Sequence, residues 1–312
     1  MSSTDPGARD LRAVLHAGRL AAEQQMGVFE ATGQTWHETS ITDLLLSTLH
    51  PEVKFAAFSQ SEEGTVGADW LWWWIDDDHE AFGMLVQAKR LKKDANWTID
   101  FRYDNGSQRL SLMDSADYFN VAAMYGLYLG TSDYRAGAFC SADAHSDDCE
   151  SCRQTTISLI PALLTFAGWG TAADETAGAL EHHRALEEFA DDTQKVAPVW
   201  DVNLKTARPE LVEFLQTPQT GARRIAQFVF ERVAVARSGA FAGPSETVVD
   251  LREEALFTDV PDDPGHFGLP YYRHVLRGLR GGAPDYVFDV LADLDIPDDV
   301  RARVAGIVVV RC

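Results

Sequence analysis

Three polar side chains with metal- and phosphate-binding chemistry adjoin two apolar segments of the sequence. Asp69 lies near the start of a predicted strand at residues 68–75. Gln87 and Lys89 come at the end of the apolar run 82–86, and an acidic loop joins the two segments, which predicts a β-hairpin. If the strands pair antiparallel, Asp69 lies beside Gln87 and Lys89. A carboxylate, an amide oxygen and an ammonium group then meet at one end of a sheet, a costly placement unless these groups have partners or a ligand.

This pattern resembles the active-site signature of the PD-(D/E)xK restriction-endonuclease-like nucleases. In that superfamily an Asp on one strand precedes a short (Asp/Glu)-x-Lys triplet on the next, and QxK variants carry Gln at the first triplet position. Asp69, Gln87 and Lys89 occupy these positions, and Glu38, in HETSITDLLLSTL, resembles the Glu that many such nucleases place on a preceding helix. The resemblance covers residues 35–130. It departs from the commoner pattern because no Pro precedes Asp69 and because Gln87 removes one negative charge.

The resemblance implies a fold, a cofactor and a reaction. The expected fold is α/β, with a restriction-endonuclease-like core whose central mixed sheet is flanked by helices. Mg²⁺ or Mn²⁺ is expected to bind Asp69, Gln87, the backbone carbonyl of Ala88 and Glu38, while Lys89 orients the attacking water and stabilises charge on the phosphate. The expected activity is hydrolysis of phosphodiester bonds, of duplex DNA before other nucleic acids, in restriction or anti-phage defence. The alternative is a catalytically inactive scaffold of the same fold that binds protein or nucleic acid.

Glu38 has a second interpretation as a helix-capping residue. Thr35 and Glu38 stand three positions apart at the start of an apolar helical pattern, which is typical of a capping box. The capping role and the metal-binding role are compatible. Glu62 and Glu63, at a predicted turn, are alternative sources of the second carboxylate, although acidic residues at a turn are ordinarily solvated.

Four potential ligands for a soft metal ion lie within the short segment CSADAHSDDCESC, and they are Cys140, His145, Cys149 and Cys152. Three thiolates and an imidazole form a tetrahedral donor set of the kind that holds structural zinc, and the Cys-x-x-Cys spacing suits the tight turn of such a site. We therefore predict a zinc-binding insertion that holds a structural Zn²⁺. A catalytic zinc is disfavoured because four protein ligands leave no open position. The other interpretation is a disordered loop with incidental cysteines.

A group of basic residues follows the predicted Mg²⁺ site in a chain that is otherwise strongly acidic. The formal net charge of −21 opposes non-specific attraction to nucleic acid. Local cations must therefore provide any phosphate contacts, and we predict that Arg90, Lys92, Lys93 and Arg102 do so. The alternative is an ordinary solvated face. The tryptophans within residues 70–74 are interpreted as packing residues rather than as platforms for nucleobases.

The segments that position these residues alternate between helical and strand periodicity. Apolar spacing predicts helices at residues 8–30, 35–50 and 108–120, and strands at 53–58, 68–75, 82–86 and 122–129. Further along the chain it predicts helices at 154–168, 175–196, 207–216 and 220–237, followed by a strand at 305–310. We therefore divide the chain into a catalytic core (1–135), a zinc-binding insertion (136–155) and a mainly helical C-terminal region packed on the core (156–312).

The sequence also predicts a cellular context. The N-terminal residues lack the basic, apolar and small-residue order of a secretory signal, and no apolar run approaches the ~20 residues of a membrane helix. Three clustered cysteines and one at the C-terminus do not form an evident disulfide framework. We expect a cytoplasmic protein with no membrane partner. A homodimer, or a partner protein that gates activity, is the further expected interaction.

Overall fold

Helices and strands alternate along the chain. A computed structural model describes residues 10–58, 70–142, 144–146, 148–166, 171–199, 207–238, 247–262 and 271–312. The α-helices are α1 (Leu11–Ala31), α2 (Glu38–Leu49), α3 (Ser107–Phe119), α4 (Ser132–Arg135), α5 (Glu150–Gln154), α6 (Ala172–His182), α7 (Pro209–Gln216), α8 (Gly221–Ser238), α9 (Tyr271–Leu276), α10 (Asp285–Leu291) and α11 (Asp298–Arg301). Short 3-10 helices are η1 (Tyr103–Gly106), η2 (Ala162–Phe166) and η3 (Leu186–Ala190). Within these ranges no helix has both the length and the apolar character needed to cross a lipid bilayer.

The strands form a mixed central sheet and a small separate hairpin. They are β1 (Lys54–Ala57), β2 (Trp70–Ile75), β3 (Ala81–Lys93), β4 (Trp97–Ile99), β5 (Ala122–Tyr128), β6 (Ile157–Pro161), β7 (Arg184–Ala185), β8 (Val248–Asp250), β9 (Asp259–Pro261), β10 (Leu279–Arg280) and β11 (Gly306–Arg311). The main order of the central sheet is β1-β11-β2-β3-β5-β6-β7, and β4 and β10 also pair with β3. The β11–β2 and β3–β5 pairs are parallel, and β2 and β3 are antiparallel. The hairpin consists of β8 and β9.

The tryptophans of β2 show that helices cover both faces of the sheet. Successive side chains of a strand point to opposite faces. Trp74 stacks on Phe189 of η3, which contacts Phe228 of α8, whereas Trp73 contacts Tyr286 of α10. All the tryptophans of this strand are buried, which confirms their predicted role in packing. The prediction of an α/β fold with a mixed central sheet flanked by helices is therefore confirmed.

The central strand β3 is longer than its apolar sequence indicates. The predicted strand covers 82–86, whereas the observed strand is Ala81–Lys93. Gln87 and Lys89 therefore lie inside the strand, and their expected position at its end is wrong. The physical reason is that backbone pairing with β5 continues as far as Arg90, and the hairpin with β4 continues beyond it. An apolar run marks where a strand is buried, while the hydrogen-bonded ladder extends into the polar residues that follow.

The region after residue 156 contains more strand than was predicted. The expected helix at 154–168 is wrong, because that segment holds β6 and η2 after the end of α5. A short continuous apolar run fits a buried strand as well as a buried helix. The expected helix at 175–196 ends at His182. Strand β6 pairs with β5, and the last strand, β11, lies between β1 and β2, so both halves of the chain contribute to the central sheet.

Candidate functional site

Gln87 and Lys89 are buried polar residues on one face of the central strand β3. They are two positions apart along the strand, so both side chains point to the same face. Lys89 is 8% exposed, and its Nζ donates a hydrogen bond to Gln108 Oε1 in the first turn of α3. The same nitrogen lies 6.0 Å from the centre of the Tyr103 ring. The ammonium group is thus fixed between the sheet and the helix that connects β3 to β5.

The carboxamide of Gln87 is buried without a hydrogen-bond partner in the part of the chain that the structure describes. Gln87 is 1% exposed, and neither Oε1 nor Nε2 is paired. Leaving such a group unpaired in the interior costs about 1–3 kcal/mol. Its neighbour across the β3–β5 pair is the buried Tyr125. A polar group in this state calls for an ordered water, a bound ligand or a further residue as its partner.

The carboxylates predicted to complete the Mg²⁺ site near β2 lie outside the described residues. These are Asp69 and the two alternatives Glu62 and Glu63. The residue that follows Asp69 in the sequence, Trp70, is the first residue of β2 and pairs with the residue before Gln87. The antiparallel pairing expected from the sequence is therefore observed for the described part of this hairpin.

Glu38 is the first residue of α2, and the predicted capping box at this helix is wrong. The helix begins three positions after Thr35, and its N-cap residue is His37, which makes no side-chain capping hydrogen bond. A carboxylate in the first turn still interacts favourably with the helix dipole. Capping therefore does not occupy the Glu38 side chain.

The Glu38 carboxylate forms an ion pair with Arg90. The distance from Glu38 Oε1 to Arg90 Nε is 3.8 Å, and Arg90 Nη1 also donates to the backbone oxygen of Trp36 at 2.8 Å. Arg90 follows Lys89 directly, so its side chain and that of Ala88 point to the opposite face of β3. The structure thus places Gln87 and Lys89 on one face of β3, and the ion pair between Glu38 and Arg90 on the other.

The two lysines of the predicted nucleic-acid-binding group lie on the β3–β4 hairpin. Lys92 Nζ is 4.0 Å from Asp100 Oδ2, and Lys93 Nζ is 5.1 Å from the centre of the Trp97 ring. Lys93 is exposed and Lys92 is partly exposed. A surface ion pair at such a distance is weak. Both ammonium groups are therefore accessible to an anionic partner, and phosphate contact stays a prediction.

Glu175, a buried acid that the sequence did not single out, holds the fourth predicted cation, Arg102. Glu175 lies on α6 and is 2% exposed, and its Oε1 accepts a hydrogen bond from Arg102 Nε at 2.7 Å. This hydrogen bond raises the pKa of Arg102. Arg109 Nη1 lies 4.0 Å from the same oxygen. No sequence signal indicated Glu175, because 73 residues separate it from Arg102 and only the tertiary fold joins them.

The four predicted zinc ligands are brought together. The ligand atoms of Cys140, His145, Cys149 and Cys152 all lie within 4.8 Å of one another. Two of these separations are 3.5 Å, from Cys140 Sγ to Cys149 Sγ, and 3.7 Å, from Cys152 Sγ to His145 Nδ1. A tetrahedral zinc ion with Zn–S bonds of about 2.3 Å requires ligand separations of about 3.8 Å. The cluster could therefore hold a metal ion such as zinc.

A buried cation, Arg135, lies beside this cluster. Arg135 is 2% exposed, and its guanidinium donates hydrogen bonds to the backbone oxygen of Cys152 and to Thr155 Oγ1. Burial lowers the pKa of Arg135, and the negative charges of the cysteines act in the opposite direction. The backbone N–H of Cys152 lowers the pKa of Cys149 to about 6, which favours its thiolate, whereas burial raises the pKa of Cys152. Arg135 thus provides a positive charge next to three potential thiolates.

Comparison with known proteins gives a family but no function. Residues 13–199, more than half of the chain, match DUF6615, a family of unknown function, and the chain belongs to this family. No curated protein and no solved structure matches the chain. The matched segment extends from α1 to the region before α7 and contains the β2–β3 hairpin and the Cys/His cluster. Both candidate metal sites are therefore part of the family segment.

Proposed function

We propose that the chain is a metal-dependent nuclease of the PD-(D/E)xK type in its QxK form. The observation that carries this proposal is the pair of buried polar side chains on β3, in which the Gln87 carboxamide has no described partner and the Lys89 ammonium is fixed by Gln108. The order β2, β3, α3, β5 supports it, because an antiparallel hairpin followed by a helical connection to a parallel strand is the arrangement expected of this nuclease core.

Oxygen atoms from three residues would hold the divalent ion in this proposal. They are Asp69, Gln87 Oε1 and the backbone carbonyl of Ala88, and oxygen is the donor that Mg²⁺ and Mn²⁺ prefer. The unpaired Gln87 Oε1 fits this role because a cation would satisfy it. The bound ion would polarise a phosphoryl oxygen and make a water molecule more acidic. Glu38, the fourth ligand predicted from the sequence, pairs with Arg90 on the opposite face of β3, so we do not include it in this site.

Lys89 would stabilise the negative charge that develops on the phosphate. Its partner in the structure, Gln108, orients the ammonium group without neutralising it, because an amide oxygen carries no net charge. A glutamate at position 87 would lower the positive potential around Lys89, whereas Gln87 leaves it intact. A preoriented cation at the point where charge develops is a large contribution to catalysis.

A phosphodiester in nucleic acid is the substrate class that this chemistry serves, and duplex DNA is the first candidate because of the resemblance to restriction and anti-phage defence nucleases. Lys92 and Lys93 on the β3–β4 hairpin, with Arg90 and Arg102, would contact phosphates on either side of the cleaved bond. Since the chain carries a net charge of −21, binding would depend on these local cations and weaken with salt. A homodimer or a gating partner would add further contacts.

A structural zinc ion is the proposed occupant of the Cys/His cluster. Four protein ligands leave no position for substrate or water, so this site would support the fold rather than the reaction. It would stabilise the segment between β5 and β6, which has few apolar residues of its own. The free energy of metal binding would then be part of the free energy of folding.

The alternative is a catalytically inactive scaffold with a zinc module. Two observations favour it: the strongly acidic surface and the missing negative charge at Gln87. The buried ammonium of Lys89 opposes it, because a scaffold gains nothing from a lysine 8% exposed on the central strand.

Plasmid nicking decides between these two functions. We expect the protein to nick supercoiled DNA in Mg²⁺ or Mn²⁺ and not in EDTA, and Lys89→Met to cleave at least about a hundred-fold more slowly while remaining folded. The matched control is Lys54→Met, which removes a strand lysine of β1 that pairs with Asp293 at 3.6 Å. If the parent shows no metal-dependent cleavage of DNA or RNA, or if Lys89→Met cleaves as fast as the parent, the nuclease function is wrong and the scaffold function is favoured.

A further inference from the structure

The residues before α3 present an exposed aromatic ring on a rigid support beside Lys89. Phe101 is buried in the core at 1% exposure, and Arg102 is hydrogen-bonded to the buried Glu175. The next residue, Tyr103, is 59% exposed, although its ring centre is only 6.0 Å from the buried Lys89 Nζ. The contacts of Phe101 and Arg102 thus fix the backbone at two consecutive residues, while the ring of Tyr103 faces solvent.

The turn after Tyr103 has an unusual backbone conformation. Asp104, Asn105 and Gly106 all have positive φ angles, of 50°, 54° and 86°. Residues other than glycine seldom adopt this region, and it persists where the surrounding structure determines it. Ser107 Oγ donates to Asp104 Oδ2 at 2.7 Å, which closes the turn and engages the nearest acidic side chain. The ring is therefore carried by an ordered turn with fixed geometry.

We propose that Tyr103 is the platform on which a nucleobase next to the cleaved phosphate stacks. This inference rests on the proposed nuclease function and adds a substrate-binding residue to it. An aromatic side chain stacks on any base, so it contributes affinity without requiring a particular sequence. Lys89 places positive charge next to the ring, with its Nζ 6.0 Å from the ring centre, which suits a phosphate that flanks a stacked base. A nucleotide whose phosphate lies at Lys89 has its base within reach of the ring.

The class of substrate follows from the geometry of stacking. A base inside a continuous duplex already stacks on its neighbours and presents only its edges to a protein. A tyrosine ring can replace one of those neighbouring bases only where the base is unpaired or turned out of the helix. Turning a base out of an intact duplex costs a few kcal/mol, because the base must be unpaired and unstacked. This narrows the first candidate, duplex DNA, to DNA with an unpaired base at the cleavage site, as at a frayed end or a mismatch, and it admits single strands of DNA or RNA.

Fluorescence of 2-aminopurine tests this contact directly, because stacking on an aromatic ring quenches its emission. A short single-stranded DNA that contains 2-aminopurine is titrated with the protein in Ca²⁺, under conditions in which gels show no cleavage. We expect quenching by the parent and by Tyr103→Trp. Tyr103→Ala should lose the quenching and bind about ten-fold more weakly. The matched control is Tyr118→Ala, which removes another partly exposed tyrosine, at the end of α3, whose hydroxyl bonds Asp299.

Cleavage kinetics separate this inference from the function on which it rests. With single-stranded DNA we expect Tyr103→Ala to raise KM with little change in kcat, and the parent to cleave a mismatched duplex faster than a fully paired one. If Lys89→Met abolishes cleavage while Tyr103→Ala quenches, binds and cleaves like the parent, the stacking role is wrong and the nuclease function stands. If the parent neither binds nor cleaves nucleic acid, both are wrong.

Discussion

Gln108 Oε1 accepts a hydrogen bond from Lys89 Nζ, and this contact joins the first turn of α3 to the middle of the central sheet. Lys89 is 8% exposed, so its charge lies in a region that water reaches poorly. In such surroundings the direction of an ammonium group depends on its hydrogen-bond partners. The position of α3 relative to β3 therefore sets where the positive charge of Lys89 is presented.

Replacement of Gln108 should affect the reaction more than substrate binding. Gln108→Leu keeps a side chain of similar bulk but removes the acceptor, so Lys89 loses this hydrogen bond. A hydrogen bond from a charged group is worth about 1.5–3 kcal/mol, and we expect kcat to fall about ten- to a hundred-fold with KM changed less than about two-fold. Steady-state cleavage of DNA measures both. Gln24→Leu, an exposed glutamine on α1, is the control; equal effects of the two substitutions would exclude an orienting role for Gln108.

Replacement of Gln87 by an apolar residue should abolish metal-dependent activity without lowering the free energy of unfolding. Gln87→Met has a similar volume and no polar atoms, so it removes a buried carboxamide that lacks a described partner. We expect the free energy of unfolding in EDTA to be unchanged or to rise by about 1 kcal/mol, while cleavage and divalent-metal binding are lost. Urea denaturation and metal titration measure the two quantities. A large loss of stability would mean that the carboxamide has a structural partner.

Gln87→Glu provides the contrasting variant. A carboxylate at a position that is 1% exposed loses its hydration, so in EDTA we expect this variant to be less stable than the parent. Mn²⁺ should reverse the loss, because the ion would pair with the carboxylate and bind the folded state. The shift of the thermal midpoint with Mn²⁺ should therefore be larger than in the parent. An equal shift in both proteins would place the metal elsewhere.

The secondary structure around the candidate site was largely predictable because its signals are local. The apolar spacing of the sequence predicts helix α3 and strand β5. The acidic loop predicts the turn between β2 and β3. The Cys/His cluster was also predictable, since all four ligands lie in one short segment.

Contacts between distant parts of the chain were not predictable in the same way. Glu175 bonds Arg102 from a separate helix, and no periodicity joins the two. Strand β11 inserts between β1 and β2, although its sequence shows only that it is buried. The length of β3 was underestimated because the pairing of backbone groups does not depend on apolar side chains.

The buried His274 should make the protein less stable in acid. It lies on α9 at 4% exposure, near the backbone oxygen of Ala123, and burial lowers its pKa from 6.5 to about 4. Above pH 6.5 the imidazole is neutral in both states and has no effect. As the pH falls from 6.5 to 4, the unfolded chain takes up a proton that the folded protein excludes, so up to about 3 kcal/mol of stability is lost.

A variant isolates this contribution from that of the carboxylates. His274→Gln does not titrate, so the difference in unfolding free energy between it and the parent should change between pH 6.5 and 4 and be constant above pH 7. Urea denaturation at a series of pH values measures the difference. A pH-independent difference would show that His274 is protonated in the folded state as readily as in the unfolded chain.

Arg135 should strengthen metal binding without being a ligand. A divalent ion with three thiolates and one imidazole carries a net charge of about −1, and the buried guanidinium of Arg135 lies next to it. As-purified protein should hold about one zinc per chain, and Arg135→Met should lower zinc affinity about ten- to a hundred-fold with all four ligands present. Competition with a chromophoric chelator measures the affinity. The control is Arg153→Met, next to Cys152 in sequence but paired with Glu23 at 3.1 Å on a more exposed surface. Protein that contains no zinc, or identical affinities in the two variants, would rule out this electrostatic role.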